Sequence, residues 1–310
     1  MSAIAGRPET RLDEIVAEAR RAEADGFEFY VVPSIFSLDA IGMLIAVGRE
    51  TRRIELIPAV VPTAPRHPAA LAQQALTAQA ASGGRFTLGI GLSHRAVIDD
   101  MFGLSYAKPA QQMREYLSVL VPLLEGKPAA FDGEWYRVHA RLDVAEADPV
   151  PVLVAALGPR MLEVAGELAA GTVTWMTGLA TLASHIVPSI RRAASAAGRG
   201  APRIQSAVPI CLTSDANAAR EACNRSFSIY GKLPSYRAML DREGAALPAD
   251  VALVGDEAEL RAGLARYREV GVDDFAPSVF GADARDVERT LAFLASEREP
   301  RAAAPTQKIE

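Results

Sequence analysis

Short apolar segments alternate with longer amphipathic ones along most of this chain, and the number of alternations restricts the fold more than any single residue does. After a weak strand at 3–5, Leu12, Ile15, Val16, Ala19 and Ala22 recur at helical spacing and stop at Gly26. The reading continues with a buried strand at 27–32, a helix at 38–49 and a strand at 54–61. Pro68 then opens a helix, at a position where its missing N–H does no harm, and Gly83 and Gly84 end it. A strand at 85–91 leads through a long loop to a helix at 109–125. The rhythm breaks at 131–138, where Asp132-Gly133 between strand-like residues signals a hairpin. It resumes with strands at 152–156, 172–176, 204–212 and 274–279, and with helices at 160–168, 182–197, 216–226, 235–243, 256–270 and 284–296. Eight strand–helix units predict an α/β fold, a (β/α)8 TIM barrel with a hairpin insertion after the fourth unit. A doubly wound sheet shares the alternation, so the count of units carries the preference. Residues 1–297 are expected to form one barrel domain and 298–310 a tail without fixed structure.

Composition narrows the partners. A net charge of −5 with interspersed signs, and no lysine-rich arm, argues against nucleic acid or an anionic membrane. No apolar run approaches the length of a membrane span and no signal peptide is visible, so the expected location is cytoplasmic and the expected partner a small-molecule substrate. The two cysteines, Cys211 and Cys223, lack metal-ligand spacing and read as reduced thiols.

In such a barrel the chemistry belongs just after each strand. Those positions include Ser34, Ile35 and Phe36 after strand two, Leu92, Ser93 and His94 after strand four, Ala156 to Arg160 after strand five, and Thr177 with Gly178 after strand six. Few are charged, so neither a metal site nor a glycosidase's carboxylate pair is expected. Gly89 and Gly91 offer bare backbone to a flat ligand, and His94 follows them as a group able to exchange a proton. The stretch reads G-x-G-x-x-H and lacks the third glycine of a dinucleotide fingerprint. Leu157-Gly158-Pro159-Arg160 opens a helix, where free N–H groups and the helix dipole suit phosphate, with Thr177-Gly178 adding a hydroxyl and open backbone. The same Gly-Pro pair also makes an ordinary tight turn. Of the other histidines, His67 reads as shaping a helix start, and His139 and His185 as surface or packing residues.

These motifs resemble the bacterial luciferase-like flavin and deazaflavin oxidoreductases, especially the actinobacterial branch that uses coenzyme F420. The resemblance is carried by Val60-Val61-Pro62-Thr63 with Arg66-His67-Pro68, Gln73-Gln74-Ala75, the run Gly84 to Gly91, Phe131-Asp132-Gly133, Ala155-Ala156-Leu157-Gly158-Pro159 and Thr177-Gly178. It implies a cofactor ring across the barrel mouth and a bulge, often a non-prolyl cis peptide, ending strand three at Pro58, Ala59 and Val60. The cofactor is then expected against Gly91, Ser93 and Ala156, with its phosphate at Leu157, Gly158, Thr177 and Gly178. Relatives that oxidise alcohols or sugars carry an Asp-His pair after strand two, where this chain has Ser34-Ile35-Phe36. Those three residues are assigned to the substrate pocket. His94 falls where such relatives have a glutamate that donates a proton, and is the expected catalytic residue. The resemblance thus implies hydride transfer between coenzyme F420 and an organic substrate by a homodimer. An FMN-dependent monooxygenase is the alternative, and a non-catalytic flavin-binding protein is a third reading.

Overall fold

The strands pair in parallel and in nearly the order in which they occur. The computed structural model describes residues 2–4, 11–34, 36–145 and 147–297; the 298–310 segment and Ile35 lie outside them. In chain order the strands are β1 (Ser2–Ile4), β2 (Phe29–Val32), β3 (Glu55–Pro58), β4 (Val61–Pro62), β5 (Leu88–Gly91), β6 (Ala129–Asp132), β7 (Arg137–Ala140), β8 (Val152–Ala155), β9 (Gly171–Trp175), β10 (Arg203–Leu212), β11 (Leu253–Gly255) and β12 (Asp274–Val279). One ladder runs β1-β2-β3 and a second runs β4-β5-β8-β9-β10, with β12 on the far side of β10. A bridge between Leu56 and Phe86 joins the two, and β12 comes to lie beside β1. This is the strand order of the predicted eight-stranded barrel, with β3 and β4 together as its third stave.

The helices between the strands are α1 (Leu12–Ala24), α2 (Ala40–Glu50), α3 (Pro68–Ser82), α4 (Pro109–Leu124), α5 (Pro159–Leu168), α6 (Leu179–Thr181), α7 (Val187–Ala196), α8 (Ala216–Ser226), α9 (Pro234–Glu243), α10 (Glu257–Glu269) and α11 (Ala284–Ser296). Their starts follow from local chemistry. Pro68 is the first residue of α3 and the His67 ring accepts from the Ala69 N–H, which is how His67 shapes that start. The main core lies between sheet and helices, with Leu44, Leu56, Leu71, Leu88, Leu117 and Val154 among its buried members. A smaller cluster of Phe29, Val31, Ile57 and Ala276 fills the inside of the barrel.

The strand starts are closed by charge. Arg203 at the head of β10 bonds both oxygens of Glu55 at 2.6 and 2.9 Å, and its Nε donates to Asp274 at the head of β12. Burial pushes the Asp274 carboxyl above the usual range, although the Arg203 contact opposes this.

Three features depart from the sequence expectation. The stave expected at 54–61 is split, because β3 pairs with β2 whereas β4 pairs with β5. The hairpin spans 129–140 rather than 131–138, so His139 lies within β7. Its turn is anchored by the Glu115 carboxylate of α4, which accepts from the N–H groups of Glu134 and Trp135 at 3.0 and 2.8 Å. Three-residue β11 and a π-helix at Ala96–Met101, inside the loop before α4, were too short to read from periodicity.

Candidate active site

A cleft of about 1720 Å³ opens at the strands' C-terminal ends. Its floor includes small residues, Ala59, Gly91 and Ala155 at or just beyond the ends of three staves and Ala207 midway along β10. The Ala59–Val60 peptide is cis, at the position that the family resemblance suggested. Gly89 and Gly91 explain how the bulge fits. A Cβ on Gly89 would strike the Pro58 carbonyl oxygen, and one on Gly91 would come within 2.6 Å of a Val60 methyl. Both glycines make room for strand three, and only Gly91 also faces the cleft. The expectation that both are bare for a ligand is therefore corrected at Gly89.

Two turns carry the strands over into their loops through left-handed backbone. Ser93, two residues past β5, has φ 61°, and Met176, just past β9, has φ 54°. Neither is glycine, and such residues are held there only by surrounding contacts. At Ser93 the contact is the Tyr106 hydroxyl, which donates to the Ser93 carbonyl at 3.4 Å. Asp99 braces the same loop by accepting from the Tyr106 N–H at 2.8 Å and pairing with Arg95 at 3.0 Å.

The turn projects His94 into the cleft. Its ring lies 5.8 Å from that of Tyr236 and has no hydrogen-bond partner among the described residues. Half-burial lowers its pKa below the ordinary 6.5, because the charged form loses solvent.

The two expected anion loops turn out differently. Gly158, Pro159 and Arg160 at the start of α5 are exposed on the cleft, and Arg160 has no ion-pair partner among the described residues. His185 supports this loop from behind, its Nε2 bonding the Leu157 carbonyl at 2.8 Å. The packing role expected of His185 is thus a specific one. Thr177 and Gly178 lie outside the cleft. Thr177 is buried and donates to the Trp175 carbonyl at 3.2 Å. Beyond Gly178 the N–H groups of Ala180 and Thr181 are taken by the Glu243 carboxylate of α9, at 3.0 and 2.7 Å. A Cβ on Gly178 would overlap that carboxylate. The chain supplies its own anion there.

The cleft brings together Ser34, Phe36, Ala59, Val60, Gly91, Ser93, His94, Leu157 and Gly158. It does not include Pro58 and Ala156, which are buried behind the floor. Sequence reasoning missed the opposite wall, where Phe227, Ile229, Tyr230, Leu233 and Tyr236 line the cleft beside Trp175. These residues precede or begin α9, and nothing in their spacing separates a cleft wall from an ordinary core face. Among the described residues no group of three or more His, Cys, Asp or Glu could hold a metal ion, and no helix is long and apolar enough to cross a membrane.

A barrel with its open cleft at the strand C-termini defines an enzyme-like α/β protein, and comparison with known proteins narrows the class. The luciferase-like monooxygenase family model matches residues 2–274, so the chain belongs to that family. A 5,10-methylenetetrahydromethanopterin reductase of Archaeoglobus fulgidus is 31% identical over 169 residues, covering 54% of this chain and 50% of that protein. The chain therefore matches about half the length of that relative. Among solved structures, the coenzyme F420-dependent tetrahydromethanopterin reductase of Methanopyrus kandleri superposes with a TM-score of 0.79 at 22% identity, covering 96% of both chains. The oxygenating constituent of 3,6-diketocamphane monooxygenase of Pseudomonas putida, in complex with FMN, gives 0.73 at 17% identity, again covering 96% of both.

Proposed function

We propose that this protein is a coenzyme F420-dependent oxidoreductase in which His94 moves the proton that accompanies hydride transfer to or from a small organic substrate. The observation that carries this reading is His94 itself, a half-buried imidazole with no hydrogen-bond partner among the described residues, set at the edge of a floor of small residues. The reductase relatives support the choice of cofactor.

The residues present fit a deazaflavin in two respects. The floor formed by Ala59, Gly91, Ala155 and Ala207 presents little more than backbone and methyl groups, as a flat ring requires. The start of α5 offers open N–H groups to an anionic tail, with Arg160, which has no ion-pair partner among the described residues. They do not fit a phosphate at Thr177 and Gly178, because Glu243 holds the N–H groups there. A cleft of about 1720 Å³ exceeds the roughly 300–1,000 Å³ of a site for one drug-sized ligand, which suits a cofactor and a substrate together.

When bound, the deazaflavin supplies or accepts a hydride at its ring carbon. The protein's part is to exclude water and to handle the proton. Because burial lowers the His94 pKa, its ring is mainly neutral at pH 7 and can accept a proton through a ring nitrogen. Run in reverse, the protonated ring donates, and the reductive rate falls as pH rises above that lowered value. Ser34 and Phe36 stand at the substrate side, taking the place of the acid–base pair after strand two.

An FMN-dependent monooxygenase is the second reading, favoured by the family model and by the FMN-bound neighbour. Titration of the protein with coenzyme F420 and with FMN, following fluorescence of Trp175 in the cleft wall, tests the choice. Saturable quenching by coenzyme F420, followed by substrate-dependent absorbance change of the cofactor, is expected. Quenching by FMN alone, with substrate-dependent oxygen uptake, would replace this reading with the second.

A further inference from the structure

The two sides of the cleft differ in chemistry. Its charged lining residues, Asp39, Arg66, Lys108, Arg114, Arg160 and Glu163, all come from the segments that follow the second to fifth staves. The side built by 227–236 contributes Phe227, Ile229, Tyr230, Leu233, Ser235 and Tyr236 and no charge. Lys232 lies within that segment, but its side chain is not part of the wall.

The rings on this side form one connected series. Trp175 meets Phe227 at 5.6 Å and Tyr230 at 5.5 Å, Tyr230 meets Tyr236 at 5.0 Å, and Tyr236 meets His94 at 5.8 Å. All four are edge-on or tilted contacts within the range of favourable aromatic pairs. The series therefore ends at the one group proposed to move a proton. A substrate whose reacting atom reaches His94 can lay the rest of its body along Tyr236, Tyr230 and Trp175. An ionised group placed there would lose its water and find no counter-charge among the described residues that line this side.

We infer that the substrate is an uncharged, planar, largely apolar molecule, with its carbonyl or activated double bond at the edge that meets His94. This rests on the hydride-transfer reading of the same cleft and adds the substrate class to it. The charged side of the cleft is left to the cofactor's anionic tail. Wall position is set from outside by Glu243, which ties the end of α9 to the Ala180 and Thr181 N–H groups.

The test uses Trp135→Phe protein, which leaves Trp175 as the sole tryptophan. It is titrated with 2-methyl-1,4-naphthoquinone and with 1,4-naphthoquinone-2-sulfonate, each with and without bound coenzyme F420. The neutral quinone is expected to quench Trp175 saturably and to bind at least about tenfold more tightly than the sulfonate. Leu233→Arg is expected to narrow or invert that ratio while leaving the thermal midpoint and coenzyme F420 binding near those of the parent. If this variant fails to fold, Leu233→Gln is expected to weaken the neutral quinone alone. Absence of saturable quenching by the neutral quinone, equal or tighter binding of the sulfonate, or an unchanged ratio in the folded variant would overturn the substrate class. Failure of coenzyme F420 to bind, with the preference for the neutral quinone intact, would overturn the cofactor reading and leave the substrate class standing.

Discussion

The two ends of the barrel differ in how completely their polar groups are paired. At the strand starts Arg203 is held by Glu55 and Asp274 together, and Thr87 donates to the same Glu55, so each of these three charges has a partner. At the strand ends Arg66 and Arg95 are paired with Asp39 and Asp99, but among the described residues His94 has no hydrogen-bond partner and Arg160 no ion-pair partner, and Ser93 and Met176 sit in left-handed backbone. A saturated network keeps the staves in register. Unsatisfied groups are tolerable only where a ligand or water completes them. The division matches the general partition of such barrels, with stability at one end and chemistry at the other.

Single substitutions can break this comparison if it is false. His94→Ala is expected to have the largest effect, lowering turnover by about 10²–10⁴-fold because a positioned acid–base group is lost. Its thermal midpoint should stay near that of the parent, since the ring makes no hydrogen bond to any of the described residues. Arg203→Ala should do the reverse. It strands Glu55 and Asp274 together, which costs about 3 kcal/mol in a denaturant titration, at the lower end for broken buried pairs because the side chains keep some solvent. Cofactor binding by the folded fraction should be unchanged. A His94 variant that melts early, or an Arg203 variant that loses the cofactor without losing stability, would show that the two ends are not separate.

The glycines sharpen the boundary between support and site. Gly89→Ala should destabilise by about 1–3 kcal/mol, because its methyl group meets the Pro58 backbone carbonyl, which cannot move without shifting the end of β3. Gly91→Ala presses only on a Val60 side chain and on the Ala155 methyl, so it should cost less stability and more cofactor affinity. Equal losses in melting and in binding for the two variants would mean that both glycines face the ligand.

Much of this organisation was legible in the sequence because it is local or periodic. The alternation of 2-fold and 3.6-fold patterns predicted the eight units, Gly83 the end of α3, and Asp132-Gly133 the hairpin. What escaped depends on long-range meetings. Glu243 reaches the Ala180 and Thr181 N–H groups from about sixty positions away, and no motif announces that an expected anion site holds an internal carboxylate. Arg203 and Glu55 meet across 148 positions. The hairpin was read two residues short at each end, because its turn depends on Glu115 from a different element. The wall of Tyr230 and Tyr236 looked like any half-buried helical face, since aromatic residues at such spacing pack into cores far more often than they line clefts.

Arg160 gives a smaller test on the open side of the mouth. Arg160→Ala should weaken the anionic cofactor by about tenfold, the worth of one charge-assisted contact, and should leave the neutral quinone untouched.

The smallest expected effect concerns pH, and it too divides the two ends by sign. His94 has a folded pKa below its ordinary 6.5, so the unfolded chain takes up the proton first as pH falls. Its share of stability is complete above pH 6.5, declines as pH drops through 6.5, and levels off below the folded value. Asp274 is shifted upward by burial, so the folded chain takes up that proton first. Its share therefore rises as pH falls from the raised folded value towards the ordinary 3.8. Melting curves of the parent and of His94→Gln between pH 7.5 and 5 isolate the first contribution, and the variant should lose less stability over that interval. The difference should vanish between pH 7.5 and 9, where His94 is neutral in both states. If the two proteins instead run parallel below pH 6.5, the imidazole is as well solvated folded as unfolded, and the mouth is wetter than its aromatic wall suggests.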